Sequence, residues 1–260
     1  MKTAAIVQVR LDSTRLPKKA LSDILGKPMT LRLLERLSQA KKIDSIIVAT
    51  TDRPIDDEIA DIVSDKGFIV FRGDSDDVLD RYYNAALKHN IDVIVRITGD
   101  CPLIEPDVVD MIVKVFEDNG FDYVSNTIKP TFPDGICVEV FSFDAIKKAW
   151  EDASLKSERE HVTPFIRTRP EIFKLKNIEN KVDLSDLRWT VDEPEDLIFV
   201  REIFKRLYNS ERIFHIEDIL KLLKKHPELK EINSGIGRNE GYIRSLKEDK
   251  IIDKKVDKNE

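Results

Sequence analysis

An open α/β sheet, mostly parallel and covered by helices on both faces, is the fold this sequence predicts, and two observations predict it. Short β-branched runs alternate with stretches of helical periodicity, as βαβ units do. The runs are also near-continuous in Ile and Val, which strands buried on both faces require. Residues 4–9 predict the first strand, 45–50 the second, 69–72 the third and 93–98 the fourth. Between them, 29–40, 55–65 and 77–88 carry apolar residues at helical spacing. Residues 106–119 predict a further helix, with Pro106 suited to its first turn and Gly120 to the position beyond its end. The stretch 123–125 returns to strand. From 127 to 187 the pattern is irregular, cut by Pro130, Pro133, Gly135, Pro164 and Pro170, and reads as a small inserted lobe. Helical periodicity resumes over 194–207 and 215–226, where Pro227 ends it.

These elements predict one domain over 1–232 that includes the lobe, followed by an extension over 233–260. The extension is expected to be mobile from about 247, where acid and base alternate with few apolar residues. A chain of 260 residues, 41% hydrophobic, can bury one sizeable core. Its net charge of -6, with signs mixed along the helices, argues against a general nucleic-acid binder. Two cysteines, Cys101 and Cys137, make neither a disulfide framework nor a CxxC site, so a cytoplasmic location is expected. The first apolar run is broken by Arg10 and is too short for a signal-peptide core or a membrane span, so no membrane association is expected.

Three features carry chemistry. The segment 8–19, QVRLDSTRLPKK, follows the first strand and holds Arg10, Arg15, Lys18 and Lys19. Open α/β sheets place ligands at that end of a strand, and the concentrated charge suits a polyphosphate. The loop has no glycine, so phosphate would be met by side chains rather than by a backbone cradle. A solvated basic loop is the alternative. The second feature, 96–103, ends the fourth strand in Thr98-Gly99-Asp100, placing a carboxylate where divalent cations are held in phosphate enzymes. An Asx turn is the alternative there. The third, 188–197, sets Asp192 before the helix opened by Pro194, where a helix cap is the alternative. Together Asp100 and Asp192 can hold Mg²⁺ between them. His89, His161, His215 and His226 are dispersed, which excludes a zinc-hydrolase pattern. Cys101 is assigned to packing, because the adjacent carboxylate raises a thiol pKa.

The Gln8–Lys19 run, Ala49-Thr50-Thr51-Asp52, Arg72-Gly73-Asp74, Asp77 to Arg81, Arg96 to Ile104, Glu158 to Pro164 and Thr190 to Leu197 occur in that order. Together they resemble the cytidylyltransferases of the spore-coat polysaccharide biosynthesis protein F type, related to CMP-Kdo and CMP-acylneuraminate synthetases. The resemblance covers about residues 1–207. It implies a GT-A-like, Rossmann-related three-layer fold with a mostly parallel mixed sheet. It also implies transfer of CMP from CTP, with Mg²⁺, to a sugar, sugar acid or related surface-glycan precursor, and a homodimer formed through the lobe.

Carried over by position, Gln8, Arg10, Ser13, Arg15, Lys19, Asp77, Arg81 and Thr98 fall to nucleotide binding. Arg15, Lys19, Asp100 and Asp192 fall to catalysis, and Asp100 and Asp192 to the metal. Glu139, Glu158, Arg159 and His161 fall to the acceptor. The chain departs from the family pattern at Cys137, where a carboxylate is usual. Two rival readings are a GT-A glycosyltransferase, which calls for an Asp-x-Asp motif not seen at 99–102, and a non-catalytic nucleotide-binding subunit.

Overall fold

The computed structural model describes residues 1–238 and 240–251. In chain order the elements are β1 (Thr3–Gln8), β2 (Asp23–Ile24), β3 (Lys27–Pro28), α1 (Met29–Leu37), β4 (Ser45–Thr51), α2 (Asp57–Ser64), β5 (Ile69–Gly73), α3 (Val78–His89), β6 (Val93–Thr98) and α4 (Pro106–Asn119). They continue with β7 (Tyr123–Ser125), β8 (Glu139–Ser142), α5 (Phe143–Asp152), α6 (Lys156–His161), α7 (Pro164–Arg167), β9 (Leu175–Asn177), α8 (Pro194–Leu207), α9 (Ile216–Lys225), α10 (Glu228–Glu231) and α11 (Glu240–Lys247).

Among the described residues, a seven-stranded sheet runs in the order β5-β4-β1-β6-β8-β7-β9. The β5, β4, β1 and β6 strands are parallel, β8 is antiparallel to both β6 and β7, and β9 is parallel to β7. The predicted α/β fold with a mostly parallel mixed sheet is thus the observed one.

Both faces of the central strands are buried, and successive residues serve opposite sides. Ala5 and Val7 join a core with Val48, Val95 and Ile97 under α1, α4 and α8, while Ala4 and Ile6 join Ile47, Ala49 and Ile94 under α3 and α5. That alternation makes the three layers, and it explains why the strands are continuously apolar. The Pro106 and Gly120 signals hold: Pro106 opens α4, and Gly120 ends it in the left-handed region at φ 59°.

The stretch 127–187, read as an inserted lobe, contributes β8 and β9 to the central sheet and carries α5 to α7. Its irregular look at β8 has a physical cause, because the carboxylate of Glu139 sits inside the strand, buried and paired, and breaks the apolar run. The helix expected over 29–40 ends at Leu37, followed by turns through Gln39 and Ala40. No described helix is long and apolar enough to cross a membrane. Of the tail expected to be mobile from about 247, Asp249 and Lys250 hydrogen-bond to α6, and 252–260 lie outside the described residues.

Candidate active site

Residues 8–19 leave β1 at the carboxyl end of the parallel strands. Partners far away in sequence hold this loop. Buried Asp56 accepts from Leu11 N at 2.7 Å and takes a second hydrogen bond from the Thr51 hydroxyl. Arg53 pairs with Asp12 at 2.5 Å. Lys18, left-handed at φ 54°, donates its backbone N–H to Leu11 O at 3.0 Å and closes the loop on itself. Its ammonium pairs with Glu58 on α2, whereas Arg10, Arg15 and Lys19 line a cleft.

Two glycines bring the carboxylates to that cleft. Gly99 N donates to Gln8 O at 2.9 Å, and a Cβ at 99 would lie 2.6 Å from the same oxygen, so a larger residue would part β6 from β1 here. Gly135, at φ 105°, runs so close to the chain before α8 that a Cβ would lie 2.5 Å from Thr190 N. The Asp100 carbonyl accepts from Val191 N at 2.8 Å and from the Thr190 hydroxyl at 3.1 Å, which joins the two acid-bearing turns.

Lys19 then sits between both acids, 2.8 Å from Asp192 Oδ1 and 3.6 Å from Asp100 Oδ2. Burial works against its charge, but Asp100 and Asp192 outweigh that and hold its pKa above the usual value. Arg15 reaches Asp192 at 2.8 Å and Glu193 at 3.2 Å. Arg188 grips Asp196 with two bonds of 2.9 Å and approaches Asp192 Oδ2 at 3.2 Å. Burial opposes ionisation of Asp192 as well, yet these cations, Lys19 first, hold its carboxyl below the usual range.

The capping duty considered for Asp192 falls to other groups. Glu193 occupies the cap position of α8, and the Asp196 carboxylate accepts from the backbone N–H groups of Asp192 and Glu193. Among the described residues, the side-chain oxygens of Asp192 meet only cations, and those of Asp100 meet Lys19 and the Cys101 thiol.

The cleft has a volume of about 930 Å³, and Gln8, Ser13, Arg81, Thr98, Asp100, Glu139, His161 and Asp192 are also on its walls. Arg81 is 2% exposed, and its Nε and Nη1 have no hydrogen-bond partner; the buried Oε1 of Gln8 has none either. Glu139 pairs with Arg96 and accepts from Tyr123 OH at 2.5 Å and Thr163 Oγ1 at 2.6 Å. Burial disfavours its charge, and Arg96 with these hydroxyls reverses the balance, holding the carboxyl below its usual range.

Three residues assigned from the sequence do not reach the cleft. Asp77 caps α3 by accepting from Asp80 N at 2.9 Å, and its other oxygen takes Arg159 Nε at 2.7 Å, so the two satisfy each other. Glu158 accepts from Ser154 N and Leu155 N at the start of α6 and pairs with Arg169 at 2.7 Å. Each of these side chains is spent on helix ends and interhelical ties in the structure, which sets Asp77, Glu158 and Arg159 at α3 and α6 and not on the cleft wall.

Conversely, Arg238, Tyr242, Arg244 and Ser245 line the cleft and were not singled out from sequence. No residue of α11 is buried, so the helix carries little apolar signal. Ser245 lies 2.9 Å from His161 Nε2, and Tyr242 meets the same ring edge-on with centroids 5.0 Å apart. Burial lowers the His161 pKa to about 4.

Residues 4–233 match the family model described as cytidylyltransferase. The chain is 42% identical to an uncharacterized protein of Methanocaldococcus jannaschii, over 93% of this chain and 98% of that one. It is 29% identical to the spore coat polysaccharide biosynthesis protein SpsF of Bacillus subtilis, over 86% and 94% of the two chains. Among solved structures, it is similar to a cytidylyltransferase from Leptospira borgpetersenii, with a TM-score of 0.84 and 33% identity over 88% of this chain and 97% of that one. The fold is shared with a CMP:2-keto-3-deoxy-manno-octonic acid synthetase complexed with CTP, at a TM-score of 0.63 and 19% identity, over 79% and 99% of the chains.

Proposed function

Because the chain belongs to the cytidylyltransferase family, and is thus a nucleotidyltransferase, we propose that its cleft transfers CMP from CTP to a sugar-type acceptor, a sugar, sugar acid or related surface-glycan precursor, with release of pyrophosphate. The observation that carries this reading is the convergence of Asp100, Asp192, Lys19 and Arg15 at the ends of β1 and β6. In the reaction an acceptor oxygen forms a bond to the α-phosphorus of CTP while the bond to the pyrophosphate oxygen breaks. Such transfers depend on positioning and charge neutralisation rather than on a covalent enzyme intermediate.

Lys19 and Arg15, paired with Asp192 in the structure, exchange that partner for the β- and γ-phosphates, with Arg10 and Ser13 flanking them on the loop. Asp100 and Asp192 are a donor set that fits Mg²⁺, since both offer hard carboxylate oxygens and neither is committed to a backbone cap. When bound there, Mg²⁺ polarises the phosphate and lowers the pKa of an acceptor hydroxyl.

Cytosine carries an amino donor beside ring acceptors, and the partnerless buried groups are complementary to it. Gln8 Oε1 can accept from that amino group and Arg81 donates to the ring acceptors. Each buried polar group left unpaired costs about 1–3 kcal/mol, and a bound base removes that cost. Thr98 borders the same cleft. Glu139 and His161 face the acceptor. The protein works in the cytoplasm with its two cysteines free, as a homodimer through the lobe, where Ile128, Ile172 and Val182 are exposed.

The test is pyrophosphate release with CTP and Mg²⁺ against a panel holding a neutral hexose, a hexose phosphate and a 2-keto-3-deoxy sugar acid. Release is expected with at least one acceptor. It should fall by orders of magnitude in Asp100→Asn and Asp192→Asn, each of which removes a metal-facing charge. Near-unchanged turnover in both variants would return these acids to a structural role.

A further inference from the structure

The extension after residue 233 runs across the cleft from one wall to the other. Its near end is fixed at the Asp192 cluster. Asn233 Nδ2 donates to Arg188 O at 3.0 Å and to Asp196 Oδ1 at 2.9 Å, and Gly237 O accepts from Arg188 Nη1 at 3.1 Å. Arg238 then donates to Phe132 O at 3.1 Å and to Cys137 Sγ at 3.5 Å, and lies 3.7 Å from Asp134.

Its far end is fixed on α6, at the opposite wall. Asp249 accepts from Ser157 N at 2.9 Å and from Ser157 Oγ at 2.7 Å, and Lys250 O accepts from Lys156 N at 2.9 Å. Between these anchors α11 places Tyr242 and Ser245, three residues apart and hence on one helix face, over His161. Ser245 Oγ donates to Glu160 at 3.2 Å and meets His161 Nε2 at 2.9 Å, and the Arg167 guanidinium stacks on the Tyr242 ring at 4.6 Å. The strap residues from 237 onward lie beyond residue 233, where the match to the family model ends.

We propose that residues 237, 238 and 240–251 form a strap that covers the acceptor half of the cleft and makes Tyr242 and Ser245 acceptor-positioning residues, the Asp249–Ser157 contact being its latch. The proposal rests on the reading of the cleft as a CMP-transfer site. The physical logic is that α11 buries no residue of its own, so little hydrophobic energy holds it down. A few polar contacts at its two ends and at His161 decide whether it is shut. An element of this kind opens at low cost to admit substrates, and when shut it adds polar side chains to the pocket.

Two readouts on the full chain test it. In the first, Tyr242→Ala and Ser245→Ala are compared with the unmodified chain in the pyrophosphate assay, using each member of the acceptor panel. The acceptor KM is expected to rise about fivefold to tenfold, as loss of one contact gives, while the CTP KM holds. In the second, backbone amide hydrogen exchange of residues 240–248 is quantified by mass spectrometry. Asp249→Ala, off the cleft wall, should speed that exchange severalfold by releasing the far anchor.

An unmodified chain that is active on the panel, with variants of unchanged acceptor KM or with an unaltered exchange rate over residues 240–248 in Asp249→Ala, overturns the strap. An unmodified chain inactive on every acceptor instead overturns the CMP-transfer reading and the positioning role with it, so the two failures are told apart.

Discussion

Lys19 is the residue on which the site turns. It is a half-buried ammonium held by Asp192 and Asp100, and it can release those acids only if a stronger anion replaces them, as a triphosphate does. Arg15→Ala and Lys19→Ala should therefore weaken CTP more than CMP, because CMP lacks the phosphates these cations meet. A charge-assisted hydrogen bond is worth about 1.5–3 kcal/mol, so CTP affinity measured by calorimetry should fall roughly tenfold to a hundredfold. Equal weakening of CMP would move both residues off the pyrophosphate. His161 makes a second test at this scale. Its pKa is lowered to about 4 by burial, against about 6.5 in an unfolded chain. The folded state therefore binds fewer protons, and the stabilisation from burying the neutral ring is complete above about pH 6.5 and lost as pH falls toward 4. Thermal unfolding across that window should show a steeper loss in the parent chain than in His161→Gln, and kcat should show no inflection near 6.5 that belongs to His161. Parallel stability curves would mean that the ring titrates normally.

At the scale of elements, the cleft is shaped by ties between helices as much as by the strands. Asp77 joins the start of α3 to α6 through Arg159, Arg159 Nη1 also donates to Trp150 O at 2.8 Å, and Trp150 Nε1 returns to Asp80 at 2.8 Å. Tyr83 stacks on Trp150 with centroids 4.4 Å apart, so α3, α5 and α6 form one clamp beneath His161. Arg159→Ala should cost stability, about 1.5–3 kcal/mol for a hydrogen bond to a charged partner. Any loss of activity should come through kcat and KM together as α6 shifts. A selective rise in acceptor KM at unchanged melting temperature would place Arg159 on the acceptor instead. The loop over residues 8–19 depends likewise on Asp56, which no local motif links to Leu11 forty-five residues earlier.

At the scale of the molecule, the parallel half of the sheet was legible because each of its strands is apolar on both faces and each intervening helix repeats at its own period. Asp100, Asp192, Arg15 and Lys19 were legible for a related reason. Asp100 follows the end of β6 and the loop bearing Arg15 and Lys19 follows β1, so chain position brings these together, whereas Asp192 is read from its place just before α8. The rest depended on contacts that sequence order hides. Glu139 masks β8 by placing a paired carboxylate in a strand, Asp77 and Arg159 find each other across 82 residues, and α11 lines the cleft while burying nothing. Selectivity for CTP is what the cations, acids and buried polar groups of this cleft are proposed to confer. Isothermal calorimetry with CTP, UTP, ATP and GTP in the presence of Mg²⁺ tests it most directly. Clear preference for CTP is expected, with Arg81→Ala reducing it toward the level of UTP, whereas equal affinity for all four nucleotides would contradict a CTP site.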